Sequence, residues 1–288
     1  AALKLGSGSL TKQGAGTITL TSANTYTGST KIQQGTLNVL GSLENSTALS
    51  VSSGAEYSTV TDEIASISGS GIITLNNSML TVGADNSSSE FSGVIGGKGG
   101  LTKLGSGTVI LKGDNTFTGN TRVNAGILAV SGSLSDSSAL VVSGTYSVLN
   151  DDSVGSISGS GEINLNSSRL TTGLDNTDTT FSGRIYGDGG LTKAGTGELI
   201  LSGSHEYDSY LGTTEVSSGI LTVTGNTPTI ATCAPFASSN ICPVQETPSP
   251  TPEPEPEPEV LFEPVIEPEP EIVVDQASIP KPEPEPEP

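Results

Sequence analysis

The chain has 288 residues, with 31 acidic against 11 basic side chains, 37 Gly, 17 Pro, no Trp, one His and two Cys. A net charge of -20 with no basic cluster excludes nucleic acid and anionic membrane surfaces as partners. One imidazole and two thiols exclude zinc-finger, iron-sulfur and multi-histidine metal sites, so no cofactor is expected.

From the N-terminus, apolar residues alternate with polar ones: Ile18 and Leu20, then Ile32, then Leu37 and Val39. A period of two puts each set on one buried face, so these stretches are predicted to be strands of three to six residues, bounded by Gly, Asn, Asp or Ser. No stretch carries helical spacing with caps, and no apolar run approaches the roughly 18 residues a membrane-spanning helix needs. The same pattern returns at Val109, Leu111, Val123, Leu128 and Val130, and again at Leu199, Leu201, Val216, Leu221 and Val223. Between these copies, residues 66–101 align without gaps on 156–191, and both segments open with Ser-Ile-Ser-Gly-Ser-Gly. Two full copies of about 90 residues and a partial third are therefore expected over 1–225. The chain opens in mid-pattern, so an N-terminal portion is expected to be missing, and any export signal is expected to have been removed or to lie outside these residues.

A period of this length fits either a string of sandwich-like domains or a solenoid. Few aromatics and small inward residues favour a narrow coil over a sandwich core about 10 Å thick. The expectation is an all-β, right-handed parallel β-helix with about four rungs per copy and about ten over 1–225. Gly35, Gly126 and Gly219, each just before Leu-x-Val, are expected at corners that need positive φ or a close backbone approach. Asn at corners is expected to accept left-handed backbone and to bond the next rung. Lys12, Lys103 and Lys193 are expected on a solvated strand face.

Past residue 225 the composition changes: every Gly lies at or before Gly225 and every Pro at or after Pro228. Residues 226–245 are expected to form a connecting loop closed by a Cys233–Cys242 disulfide worth roughly 2 to 3 kcal/mol. Residues 246–288 hold 13 carboxylates and one lysine in Pro-Glu repeats, which predicts a disordered polyproline II stalk.

Two strings carry a family resemblance: Leu-Thr-Lys-x-Gly-x-Gly-Thr-(Ile/Val)-x-Leu, then Asn-Thr-(Tyr/Phe)-Thr-Gly-x-Thr-x-(Ile/Val)-x-x-Gly-x-Leu-x-Val, from Leu10 to Val39 and from Leu101 to Val130. They resemble the autotransporter-associated β-strand repeat, also called the passenger-associated transport repeat, of bacterial type V secretion. The matching positions are Leu10, Lys12, Gly14, Gly16, Asn24, Gly28 and Gly35, then Leu101, Lys103, Gly105, Gly107, Asn115, Gly119 and Gly126. The third copy keeps Leu191, Lys193, Gly195, Gly197 and Gly219 but replaces the Asn turn with His205 to Gly212, where a bulge or exposed loop is expected.

The resemblance implies a β-helical passenger carried through the Gram-negative outer membrane by a β-barrel translocator and its assembly machinery. It further implies folding that starts outside the cell at the C-terminal end, and surface display or secretion. A receptor on a host or neighbouring cell would then be the remaining partner. The barrel's own alternating strands are not expected among these residues.

No catalytic residue is expected. His205 has no orienting partner for a Ser-His-Asp device. Asp151 with Asp152, and Asp85 with Asp175, could hold Ca²⁺ or flank a glycosidic bond, but read more simply as turn residues. The expected function is a non-catalytic adhesive or structural passenger fragment. The alternative is the β-helical scaffold of a polysaccharide-processing enzyme whose active part lies upstream.

Overall fold

The computed structural model describes residues 3–43, 47–203, 212–224 and the backbone of 231–233. All regular structure among them is β-strand, and every strand pairing is parallel. The strands form a ten-stranded sheet, a nine-stranded sheet and two five-stranded sheets. Where all faces are formed, the chain visits the ten-stranded, a five-stranded and the nine-stranded sheet in that order before returning to the first. This is the parallel β-solenoid expected from the alternation, and it removes the sandwich alternative.

The two five-stranded sheets occupy one face. Between them, Thr116 N donates to Ile95 O, Asn115 N to Ser133 O, and Leu134 N to the carboxylate of Asp152, each at 2.9 Å. Irregular backbone thus continues the ladder where strand geometry lapses, which satisfies its buried polar groups.

Coil length varies around this core. Paired residues are 17 apart at Thr145↔Glu162 and 23 apart at Leu191↔Thr214. Consequently one copy spans more than the four rungs expected. Starting at Leu10–Lys12 in the ten-stranded sheet, four coils return the chain to that sheet at Ser89–Phe91, and two further faces bring it to Gly100–Lys103 in the nine-stranded sheet. The next copy repeats the displacement and places Leu191–Lys193 in a five-stranded sheet. Each copy is therefore four and two-thirds coils.

Packing follows the register. In the ten-stranded sheet one inward column runs Ile32, Val51, Gly69, Phe91, Leu111, Val130, Val148. Gly69 faces Phe91, and at the matching place in the next copy Gly159 faces Phe181. The ring tips of Phe91 and Phe181 lie against Gly93 and Gly183, where an added Cβ would come within 2.7 Å of each ring. The core is richer in aromatics than expected, because Tyr26, Tyr57, Tyr146, Phe91, Phe117 and Phe181 are all fully buried. The few rings in the sequence are concentrated inside, where each removes more apolar area from water than an aliphatic residue.

Corners are tight. A Cβ on Gly126 would lie 2.4 Å from the Gly105 carbonyl oxygen, and one on Gly183 would lie 1.9 Å from that of Gly161. Asn77, Asn86, Asn166 and Asn176 take positive φ, as expected for Asn corners. Asn86 and Asn176 each accept a 2.9 Å bond from the following coil, from Ser106 N and Thr196 N respectively. One strand, Ala231–Cys233, lies past residue 225 and pairs with Thr214–Val216. Cys242, the loop from His205 to Leu211 and the Pro-Glu segment fall outside the described residues.

Candidate functional site: the repeated lysine corner

The lysines of the three Leu-Thr-Lys strings are not solvated: Lys12, Lys103 and Lys193 are 2%, 0% and 1% exposed. The expectation of a lysine on a wet strand face is overturned in every copy. The cause is local. Leu10 and Lys12 share strand parity, so both point inward, and the lysine at the strand's end directs its ammonium along the core into the corner.

There the next residues turn back on it. Lys12 Nζ donates to the carbonyls of Gln13 (3.1 Å), Gly14 (2.6 Å) and Gln34 (2.9 Å). Lys103 repeats this with Leu104 (2.5 Å), Gly105 (2.8 Å) and Ala125 (3.3 Å), and Lys193 with Ala194 (2.5 Å), Gly195 (3.1 Å) and Ser218 (3.5 Å). An ammonium has three donors, and each finds a carbonyl. Two carbonyls belong to the lysine's own coil, and the third belongs to the next.

The motif glycines build this cradle. Gly14, Gly105 and Gly195 have φ of 75°, 67° and 66°. Gly35, Gly126 and Gly219, with φ of 66°, 60° and 73°, immediately follow the residue that supplies the third carbonyl. Left-handed backbone at both places aims the carbonyls at one point, and any residue other than glycine there would be strained. The remaining motif glycines act by close approach. A Cβ on Gly107 would lie 2.2 Å from Ser87 O, on Gly197 2.5 Å from Thr177 O, on Gly28 2.3 Å from Gly8 O and on Gly119 2.5 Å from Gly99 O. Gly16, in the first described coil, meets nothing within 4 Å. Burial holds the Lys103 and Lys193 ammonium pKa values below the usual lysine value, with Asp175 and Asp178 opposing the effect at Lys193.

The motif asparagines form a second coil-to-coil tie. Asn115 Nδ2 donates to Gly113 O (2.8 Å) and Ser133 O (2.9 Å), while its Oδ1 accepts from Ile95 N (3.1 Å). Asn24 does the same with Ser22, Ser42 and Leu3. One buried side chain thus joins three successive coils.

A third tie was missed in the sequence. Tyr57 donates its phenolic O–H to Asp62, whose other oxygen accepts from Leu43 N at 2.9 Å. Tyr146 bonds Asp152 in the same way, and Leu134 N takes the other oxygen. Burial raises the pKa of both carboxyls above the usual carboxylate value, against the opposing effect of these hydrogen bonds. Burial and the adjacent carboxylate push both phenols well above theirs. The signal was there: Tyr57 and Tyr146, like Asp62 and Asp152, recur at copy-to-copy spacing.

Asp151 and Asp152 are not a matched pair of carboxylates. Asp152 is buried in the tyrosine tie, while Asp151 is exposed and accepts from Arg169 N at 2.8 Å. Asp85 and Asp175 close turns by accepting from the amide and hydroxyl of Ser87 and Thr177 respectively. Among the described residues, no three His, Cys, Asp or Glu side chains converge on a point that could hold a metal ion.

The repeated lysines, asparagines and tyrosine–aspartate pairs therefore serve contacts between coils, and the family model of the Passenger-associated-transport-repeat matches at residues 10–39, 101–130 and 191–223. The chain carries passenger-associated transport repeats. An autotransporter adhesin of Brucella suis, BmaC, is 39% identical over 125 residues, which is 40% of this chain and 4% of the adhesin. Two extracellular serine proteases of Serratia marcescens are 47% and 44% identical over 58 and 66 residues, or 20% and 23% of this chain and 6% of each protease. The chain thus spans only a small part of the length of the curated relatives it matches. No solved structure matches it. The matched repeats and these relatives support an autotransporter passenger with a cell-surface or secreted location.

Proposed function

We propose that this segment is a non-catalytic part of a surface-displayed passenger, whose repeats support passage through the outer membrane by folding coil upon coil from the C-terminal end. The observation that carries the reading is that Lys103, Asn115 and Asp152 each bond a neighbouring coil, so every coil folded outside offers acceptors or donors to the coil next to it. Nearest-neighbour stacking of this kind lets folding free energy draw the chain outward. Its partners are then the β-barrel translocator and its assembly machinery.

The 39% identity to an adhesin over 125 residues supports an adhesive or structural role with a cell-surface receptor. The reading also includes right-handed winding, a disulfide between Cys233 and Cys242, and an extended Pro-Glu stalk. The test compares two core lesions in the full passenger with its barrel. Leu221→Ala, near the C-terminal end of the solenoid, is expected to lower surface yield more than Leu20→Ala; equal yields would overturn the export reading.

A second reading is favoured by the protease relatives: the solenoid is the scaffold of an enzyme whose catalytic part lies elsewhere in the protein. Proteolysis of an unstructured substrate by the whole secreted protein, abolished by a serine-directed inhibitor, would establish it. Cell binding without proteolysis supports the adhesive role.

A further inference from the structure

We infer that each lysine corner is a binding site for a primary ammonium group, formed by the backbone and filled by the chain's own lysine as a tethered ligand. Three features support this. First, the acceptors recur at fixed places in all three copies: the residue after the lysine, the glycine after that, and the residue before the next coil's positive-φ glycine. Second, positive-φ glycines at both ends of the corner aim the carbonyls, so the acceptor set is written into the backbone. Third, the acceptors are neutral dipoles, as in a carbonyl-lined cation filter, and three converging oxygens match the three donors of an ammonium. A guanidinium, with its planar fork of five donors, does not match that arrangement.

The lysine stem alone could have filled the column with apolar atoms, and a methionine would do so without desolvating a charge. That every copy buries a cation instead gives the cation its own role. The third carbonyl comes from the following coil, so occupancy of the site couples two coils. The inference rests on this geometry and is independent of the export reading.

The test uses the full chain and methylammonium as the free ligand. Lys103→Ala is expected to lower the melting temperature by roughly 10 °C, the scale of an uncompensated buried polar site. Methylammonium chloride is expected to raise the variant's melting temperature by about 2–4 °C over sodium chloride at equal ionic strength, as for a ligand several times above its dissociation constant. The wild type, whose sites are filled, is expected not to respond.

Lys103→Met and Lys103→Arg are both expected to melt below the wild type. Lys12→Ala vacates the corresponding site in the first described coil, so the same titration can be read even where loss of Lys103 prevents folding. An equal response of wild type and variant, no response, or a Lys103→Met or Lys103→Arg protein as stable as the wild type would each overturn the inference.

Discussion

Tyr146 donates its phenolic hydroxyl to Asp152 inside the solenoid, and Tyr57 makes the same bond to Asp62 four and two-thirds coils earlier. Both carboxyls are raised above their unfolded value by burial. A raised carboxyl holds its proton more tightly when folded. Its favourable contribution is therefore fully present below the unfolded carboxylate value and is lost as pH rises through the folded one. Asp152→Asn removes the titration while keeping an oxygen for Leu134 N. The difference in melting temperature between wild type and Asp152→Asn should move in favour of the wild type as pH falls from 7 toward 4; a constant difference would contradict the assignment.

Lys103 and Lys193 predict the opposite slope at the alkaline end. Their depressed ammonium values mean the folded chain releases protons before the unfolded one does. Stability contributed at these corners should rise between the folded lysine value and the ordinary value near 10.5, and Lys103→Met should lose part of that rise. Denaturant midpoints measured from pH 8 to 10 give the comparison.

At the second-copy corner, Gly126→Val combines a φ of 60° with a Cβ 2.4 Å from a carbonyl oxygen. A cost of about 3 kcal/mol or more is expected. Asn124, two residues earlier, is exposed, and its replacement by Ala should stay within about 0.5 kcal/mol. Urea unfolding of the two variants separates them.

Phe91 is fully buried and paired in register with Gly69, so Phe91→Ala should cost about 3–5 kcal/mol. Gly69→Ala places a Cβ 2.1 Å from Val51 O and should also destabilise, although it only adds a methyl group. Because the two residues are paired, the double variant should differ from the sum of the single ones, which a double-mutant cycle would detect.

Much of this was legible beforehand. Alternation from Leu20 to Val39 placed the strands, although Ile18, expected on the buried face, is 44% exposed; Gly35, Gly126 and Gly219 marked the corners, because backbone demands appear directly as residue type. The lysines were misread even though the parity of Leu10 and Lys12 pointed them inward. Their acceptors are carbonyls, which no residue letter reveals, and a lysine without an acidic neighbour reads as solvated. The displacement of each copy to a new face was also hidden. It depends on coil lengths of 17 to 23 residues, and those are set by packing rather than by the repeat's own period.

That displacement has a consequence for anything that meets the passenger from the side. A duplication of four and two-thirds coils turns each new copy by a third of a revolution relative to its predecessor, so the signature loops wind around the axis and do not line up in a row. Lengthening the chain by whole copies extends its reach without widening any single stripe of identical chemistry. A flat surface approached broadside would meet the same loop again only after three copies.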